Sequence, residues 1–565
     1  MAVVLDLADI QGNILAPYGK AGFPVGRCIL LHISGGVDAE TRAANGRRFV
    51  EALRPRITSA LRWDDDKPKK PGEYVVQRPE ATLNIAFSFQ GLVALGVPTR
   101  TLREFPDPFI DGMAARARML GDDFAGADWR TKWDEVWHPS HPDPACDPRT
   151  PHILVTLNGR FGAPAALEAL TQEVEAAAAA SGVVVLPGHN RPGAPQARYQ
   201  EMAALIGPDG RPMPTEHFGF ADGISDPVFE GQYTFGEEQV EATGNGAVDG
   251  EGKWRPLATG EFLLGYPDEA QERAGPITPI SFFRNGTFVA YRKLHENVST
   301  WRSFIDKAAA DFQKVAKIDD HDKARSLLVA KMIGRWPDGV PLAKAPTFEA
   351  HAKFREELDK LPDTPEGRKA KRLAYIDFSY AEDLDGRVCP MTSHTRRANT
   401  RAALDPRAPR LPNDLDSPAK TRGGSVLNNR RRILRRGLPY GKFDAQASDA
   451  GEHGVLMLIM CADLFRQYEF VQQQWMNYGF DARAGSDTCP IIGNHSQGAD
   501  TPDEKARHDN GPKAKFVVPA DPKSGCPPFI AEGLPQFVET RGGEYFFAPG
   551  LGAIRMIAKG STDPT

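Results

Sequence analysis

The sequence predicts an α+β fold, and three observations carry that expectation. Short apolar runs of strand length alternate with longer stretches of helical periodicity. The order strand, helix, strand occurs twice before residue 187, and the same alternation returns after about residue 210.

Residues 27–34 (Arg-Cys-Ile-Leu-Leu-His-Ile-Ser) read as a strand, 38–62 as a helix and 82–89 as a second strand followed by a helix. Residues 152–158 (His-Ile-Leu-Val-Thr-Leu-Asn) form the next strand. An Ala/Glu-rich helix over 163–181 begins at Pro164, whose fixed φ and missing N–H suit a first turn, and 183–186 (Val-Val-Val-Leu) is a short strand. The spacing suggests a split βαβ, with helices on one face of a mostly antiparallel sheet. In the second part a strand at 287–292 leads into helices at 298–316 and 321–334. Strands near 432–436 and at 454–461 follow, and a helix at 463–477 closes the core. An internal duplication would produce this rhythm, with one domain over 1–210 and another over 211–565. The stretches 243–275, 338–372 and 484–530, rich in Gly, Pro and charge, are expected to wrap the surface.

Composition narrows the function. The formal net charge of the 565 residues is -5 at pH 7, so no global field draws the protein to nucleic acid or to an anionic membrane, and neither partner is expected. Six cysteines lie widely spaced without a CxxC pair, which fits isolated thiols in a reducing compartment better than a disulfide framework. The N-terminus lacks a basic region, and Asp6 and Asp9 interrupt any apolar signal core. The longest apolar run, 454–462, is about half the ~20 residues a membrane span needs. A cytoplasmic protein is the expectation.

Three segments carry residue types that could form one site. In Cys389-Pro-Met-Thr-Ser-His394-Thr-Arg396-Arg397-Ala-Asn399-Thr-Arg401, one of thirteen histidines is ringed by cations. Neutral imidazole is a common donor to iron, and guanidinium groups are what a buried dianionic group such as a pair of haem propionates requires. In His217-Phe-Gly219-Phe-Ala-Asp222-Gly223, the glycines permit a tight backbone path that can push a carboxylate into a cavity; alone, the same pattern is an ordinary solvent turn. In Asn429-Arg-Arg-Arg-Ile433-Leu434-Arg435-Arg436-Gly437-Leu-Pro439-Tyr440-Gly441, strand alternation puts Arg435 on the face of Ile433, and Leu434 and Arg436 on the other. At least one arginine then points inward, unless the run is a solvated edge.

At these residues the chain resembles the dye-decolorizing (DyP-type) haem peroxidases, in particular their longer members. Gly219-Phe-Ala-Asp222-Gly223 is similar to the family's Gly-x-x-Asp-Gly motif, the 389–401 segment to its proximal-histidine segment, and 433–441 to the segment bearing its distal arginine. The likeness continues through Asp9-Ile-Gln-Gly-Asn-Ile-Leu15, Gly334-Arg-Trp-Pro-Asp-Gly-Val-Pro-Leu342, Arg466-Gln-Tyr-Glu-Phe-Val-Gln472 and Arg541-Gly-Gly-Glu-Tyr-Phe-Phe547. The resemblance implies two ferredoxin-like α+β domains of the dimeric α+β barrel type with long loop insertions, and a non-covalent haem b in the C-terminal one. The absence of CxxCH agrees with non-covalent attachment. It further implies His394 as proximal iron ligand, Asp222 and Arg435 as the distal catalytic pair, and Arg401 as partner of a propionate. Val455 and Met457, on one face of strand 454–461, match positions near the haem's distal side; plain core packing is the other account of them. The chain departs from the family at Thr395 and Thr400, where Ile and Pro are common, and at Gly437, where some subfamilies carry an asparagine that helps with peroxide.

The activity implied is hydrogen peroxide-dependent oxidation of dyes, phenols or other aromatic donors, with Asp222 as proton shuttle and Arg435 as charge stabiliser. A haem carrier or dechelatase would need His394 but not that pair, and a haem-free structural paralogue would need none of the three. Other candidates are weaker. The loop His138-Pro-Ser-His141-Pro-Asp143-Pro-Ala-Cys146 has zinc-ligand types but no fourth ligand, His217 is a distal histidine only by proximity to Asp222, and Trp475 and Tyr478 are assigned to packing rather than electron relay. The sequence names neither the physiological donor nor the oligomeric state, and a homo-oligomer is left open.

Overall fold

The computed structural model describes residues 3–34, 36, 38–64, 75–122, 132–144, 146–233, 240–248, 253–273, 275–276, 278–380, 382–401, 426–481, 483–485, 487–495, 514–520 and 525–561. Its centre is a ten-stranded sheet with antiparallel ladders throughout. In the first half the strands lie in the order Ala81–Phe87, Ile153–Gly159, Val25–Ile33, Val183–Val185. In the second half the order is Leu438–Tyr440, Gly454–Cys461, Thr287–Glu296, Val538–Ala548. Numbered along the chain, both halves read second, third, first, fourth. That is the ferredoxin-like order twice over, as an α+β duplication requires. The halves meet edge to edge where Phe547 pairs with Phe87, so neither sheet leaves this edge open to another chain.

Burial explains the apolar runs. Ile153–Gly159 is buried at every position and Val25–Ile33 at nearly every one, because helices cover the sheet. Ala39–Leu53 presents Ala43, Gly46, Phe49, Val50 and Leu53 to the core, with Asp38 capping its first turn through Thr41 N at 2.7 Å. Pro164–Ala180 starts at its proline and buries Leu167, Leu170, Val174 and Ala178. In the second half Val298–Ala316 and His321–Ile333 form a helical pair, the latter ending on Gly334 at φ 94°. Among the described residues no helix is long and apolar enough to cross a membrane.

Several expectations need correction. The first helix stops at Leu53, with one 3-10 turn over Arg54–Arg56, because Pro55 cannot donate to a continuing ladder. Residues 338–372 do not simply wrap: Thr347 and Thr364 cap two exposed, charge-rich helices, Phe348–Asp359 and Pro365–Ile376. Nor does 243–275 simply wrap the surface, since Leu257, Phe262, Leu263 and Leu264 lie in the main core. Of 484–530, residues 486, 496–513 and 521–524 lie outside the described residues, and Lys515–Val518 pairs with Phe529–Glu532. The helix expected at 463–477 exists but is wound with the wider π spacing over Leu464–Glu469 and Val471–Met476. It does not complete the core. The strand Val538–Ala548 and the helix Leu551–Lys559 do, and the helix packs on Ala39–Leu53 from the other end of the chain.

One buried ion pair ties the first half to the central strand of the second. Lys293 Nζ lies 2.6 Å from Asp134 Oδ2 and 2.6 Å from the His189 carbonyl, and both charged side chains are essentially inaccessible. Burial pushes the Asp134 carboxyl up to about 7 despite the pull of Lys293. Replacing Asp134 with alanine strands the ammonium, at an expected cost of about 3–5 kcal/mol, and urea unfolding should begin at lower concentration. An unchanged transition would mean that Glu452, 3.6 Å from Lys293, already carries the pair.

Candidate active site

Every site residue expected from the sequence lines one cavity. Its volume is about 280 Å³, at the lower edge of small-molecule sites, and its wall includes Asp222, His394, Arg401, Arg435, Val455 and Met457. One wall is a face of the second-half sheet. Residues two apart share a face, so Val455, Met457 and Ile459 of one strand and Arg292, Leu294 and Glu296 of the next all reach the cavity. Arg435 pairs with Ile459 across the ladder and therefore points the same way. Arg436 turns to the opposite side and donates to the carbonyls of Asn13 and Ile14. The alternation read from 433–436 holds, although the regular strand is only Leu434–Arg435.

Asp222 comes from an irregular loop. Gly219 at φ 91° and Gly223 at φ 67° occupy left-handed backbone on either side of it, and at Gly223 a Cβ would sit 2.9 Å from the Lys20 side chain. The backbone is pinned by Asp222 N to the Pro214 carbonyl and Ala221 N to the Pro337 carbonyl. Arg435 Nη2 then donates to Asp222 Oδ1 at 2.6 Å. Burial by itself would raise the Asp222 carboxyl, but the guanidinium outweighs it and holds the group below the usual carboxylate range. The side-chain exposures of 41% and 32% for this pair are compatible with such strong coupling because both groups open onto the cavity.

Gly437 now has a steric reason. A Cβ at this position would lie 1.7 Å from the Leu456 carbonyl oxygen and 2.9 Å from Met457 Cα. The adjacent strand excludes an asparagine, or any side chain, there.

His394 opens the short helix His394–Ala398. The helix is docked by Ser393 Oγ on the Lys331 carbonyl and by Thr395, which comes so near Gly334 that a Cβ there would be 2.2 Å from its hydroxyl. Its imidazole Nδ1 contacts Cys489 Sγ at 3.2 Å. No hydrogen bond to Nε2 is present among the described residues. Arg396 pairs with Asp383 at 2.9 Å, and Arg397 donates to the carbonyls of Trp475, Tyr478 and Asp487. These two arginines therefore hold the segment together rather than a ligand.

Arg401 is different. At φ 48°, buried, it donates to the carbonyls of Gly244, Ile376 and Phe378 and to Ser225 Oγ. Arg335 and Arg432, which also line the cavity, likewise meet only carbonyls. Among the described residues none of the three reaches a carboxylate within 4.0 Å, and burial pulls all three down, Arg401 to about 9 and Arg432 to about 10. Buried cations with neutral partners favour an anion at this end of the cavity.

Glu216 and Glu296, also in the wall, form a buried pair that sequence reading missed. Glu216 accepts from the amides of Phe218 at 2.7 Å and Phe220 at 2.8 Å, which favours its charged form, while Glu296 Oε2 accepts from His217 N at 3.1 Å. Burial raises both carboxyls, and Glu216 raises Glu296 further, so Glu296 keeps the shared proton. The available signal was weak, since Glu296 ends a strand that already carries Arg292, Lys293 and His295. Cys489, Arg335 and Arg432 had none. Residues excluded from the cavity are equally clear: His217 Nε2 is held by the Tyr440 carbonyl at 2.8 Å, and His138 by the Trp133 carbonyl at 3.0 Å. Among the described residues no group of three or more His, Cys, Asp or Glu is placed to hold a metal ion. Trp475 is buried and Tyr478 half-exposed, stacked on Phe480.

Residues 42–143 match the family model of the DyP dimeric alpha+beta barrel domain. Peroxidase 2 of Mycetinis scorodonius is 27% identical over 571 residues, covering 98% of this chain and 88% of that protein. Dye-decolorizing peroxidase AauDyP1 of Auricularia auricula-judae is 27% identical over 85% of this chain and 76% of its own. A solved dye-decolorizing peroxidase in complex with 2,6-dimethoxyphenol superimposes with a TM-score of 0.63 at 23% identity, covering 98% of this chain and all of that one, and shows the shared fold.

The glutamate pair makes a pH prediction. Because both folded-state carboxyls are raised, the proton they share stabilises the fold fully below the ordinary glutamate pKa of about 4.3. That contribution is lost as pH rises through the folded values. Glu296→Gln keeps a donor to Glu216 without the titration, so its melting temperature should gain on wild type from pH 5 to pH 8. A constant difference across that range would rule out the shared proton.

Proposed function

Because this chain belongs to the dye-decolorizing peroxidases, we propose that its cavity holds haem b non-covalently and uses hydrogen peroxide to oxidise aromatic donors such as dyes and phenols. The observation that carries this reading is the convergence on one largely apolar cavity of an imidazole, an Asp–Arg pair and three guanidinium groups that have no carboxylate within 4.0 Å among the described residues. Each fits a part of the cofactor. His394 offers Nε2 to iron, the sheet face with Val455 and Met457 offers an apolar surface to the porphyrin, and Arg401, with Arg335 and Arg432, offers cations to the propionates. When bound, the haem supplies the ferric centre at which peroxide is activated and the oxidising equivalents that donors then discharge one electron at a time.

The chain's own residues supply the proton transfer. Arg435 engages Oδ1 of Asp222, leaving Oδ2 as the oxygen that takes a proton from hydrogen peroxide. The proton is returned to the departing oxygen, which leaves as water, while the Arg435 guanidinium stabilises the negative charge that develops as the O–O bond breaks. With Gly437 sterically fixed, no side chain from that position assists. The site lies chiefly in the proposed C-terminal domain, 211–565. No disulfide joins Cys28, Cys146, Cys389, Cys461, Cys489 and Cys526 among the described residues, which supports a cytoplasmic setting. A 2,6-dimethoxyphenol complex in a relative supports a phenolic donor.

Loading the protein with haem tests this reading. A Soret band should appear, and His394→Ala should remove it or alter the axial ligation. Asp222→Ala with unchanged haem occupancy should lose roughly 10²–10⁴ in peroxide-dependent dye oxidation. Equal turnover in Asp222→Ala and wild type would refute the distal chemistry, and no turnover in either would favour the carrier reading.

The pH profile gives a second test. Arg435 depresses the Asp222 carboxyl, so the base form is present above that folded pKa and is lost as pH falls through it. The activity maximum should lie below about pH 6. Arg435→Leu removes the depressing charge and should move the acid limb to higher pH. A wild-type rate that climbs steadily from pH 5 to 8 would eliminate Asp222 as the shuttle.

A further inference from the structure

We infer that Cys489 is the positioning residue of the axial histidine, taking the N–H of His394 on its sulfur and so setting the orientation and basicity of the imidazole. The inference rests on His394 as iron ligand. If Nε2 faces the iron, the ring proton must be on Nδ1, and the group within hydrogen-bond reach of Nδ1 is Cys489 Sγ at 3.2 Å. The contact is therefore N–H donating to sulfur.

The surrounding chain is built to hold that sulfur in place. Cys489 is fully buried. Its N–H donates to the Met476 carbonyl at 2.7 Å, and its own carbonyl accepts from Gly493 N at 3.0 Å and lies 2.9 Å from His495 Nε2. Gly493 has to be glycine for this turn, since a Cβ would approach the Cys489 carbonyl to 2.5 Å. Arg397, three residues after His394 on the same short helix, donates to the carbonyls of Trp475, Tyr478 and Asp487. One side chain thus fastens the histidine helix to the segment that leads into the cysteine, up to two residues before it. Such a clamp fixes the donor–acceptor distance without any direct bond between Arg397 and either partner.

Sulfur makes a weaker acceptor than a carboxylate. Removing the acceptor leaves Nδ1–H unpaired, makes Nε2 less electron-rich, weakens the iron–imidazole bond and favours the ferrous state. Replacing it with a carboxylate does the reverse. The test measures the ferric/ferrous midpoint potential and the iron–imidazole stretching frequency of the ferrous holoprotein in wild type, Cys489→Ala, Cys489→Ser and Cys489→Asp. Alanine should raise the potential and lower the stretch, with roughly a tenfold loss of peroxidase turnover. Aspartate should not show that shift or should move both readings the other way. Should buried aspartate prevent folding, serine provides the acceptor control and should fall between alanine and wild type.

If alanine, serine and wild type agree in both spectroscopic readings while the Soret band still depends on His394, Cys489 is only packing and the inference falls. If wild type binds no haem, or binds it regardless of His394, the proposed function itself fails and takes this inference with it.

Discussion

A carboxylate kept ionised at the wall of an apolar cavity is the constraint on which the site depends. Burial alone would push the Asp222 carboxyl toward its protonated form. The charge persists because Arg435 stands 2.6 Å away, and both placements are backbone consequences. Left-handed glycines on either side swing Asp222 inward, and a two-residue strand registers Arg435 opposite Ile459. Gly437 belongs to the same arrangement, since the bend that brings Arg435 to the cavity presses the chain against the Leu456 carbonyl. Bulk at 437 would push away the strand that positions the guanidinium.

Charge around the cavity is unevenly distributed, and the unevenness has direction. Near Asp222 the wall has two further carboxyls, Glu216 and Glu296, which meet their excess of negative charge by sharing a proton. Around Arg401 the wall carries guanidinium groups whose hydrogen-bond partners, among the described residues, are carbonyls and the Ser225 hydroxyl. Proton sharing cuts the charge of the glutamate pair to a single negative one without a ligand. Carbonyls and a hydroxyl cannot neutralise the guanidinium groups, because they solvate a cation but bring no counter-charge. An anion that reaches Arg401 while its body lies against the sheet face thus meets the imbalance that the polypeptide leaves.

The order of these elements was largely legible because the strands are apolar and the helices begin at recognisable residues such as Pro164. Three kinds of feature were not. The closing strand Val538–Ala548 contains Arg541, Gly542, Gly543 and Glu544 in its middle, which breaks any two-residue apolar alternation, yet its neighbours on both sides supply the ladder. The helices at 348–359 and 365–376 bury so few residues that composition resembled a loop. The buried stretch around Leu257–Leu264 holds only a single 3-10 turn, Thr259–Glu261, so periodicity had little to register. At the site, Asp222, His394 and Arg435 were visible because each sits among unusual neighbours. Arg396 and Arg397 looked equally like ligand contacts, but proved to be internal fasteners. Sequence could show a cluster of cations, but only geometry separates those whose hydrogen bonds fasten the chain from those left short of an anion.

The two sides of the cavity are made from different materials, and this division has a physical basis. The sheet face holds Arg435, Val455 and Met457 at fixed two-residue intervals, so a group there moves only if the ladder moves. His394 instead stands on a five-residue helix, too short to be stable alone, and its position is borrowed from Ser393 on Lys331, Thr395 on Gly334 and Arg397 on three carbonyls. The π-wound segment supplies one of those carbonyls, that of Trp475, and also lines the cavity with Val471, Gln472 and Met476. Its wider turn leaves main-chain carbonyls near its end available to a side chain from another element. Regular winding through 471–476 would alter the Trp475 carbonyl that Arg397 uses, and with it the spacing between His394 and Cys489. The irregular helix is therefore a structural requirement of the imidazole's position, and through Arg466 and Gln467, which donate to the carbonyls of Arg430 and Arg432, it also steadies the chain that leads into Arg435.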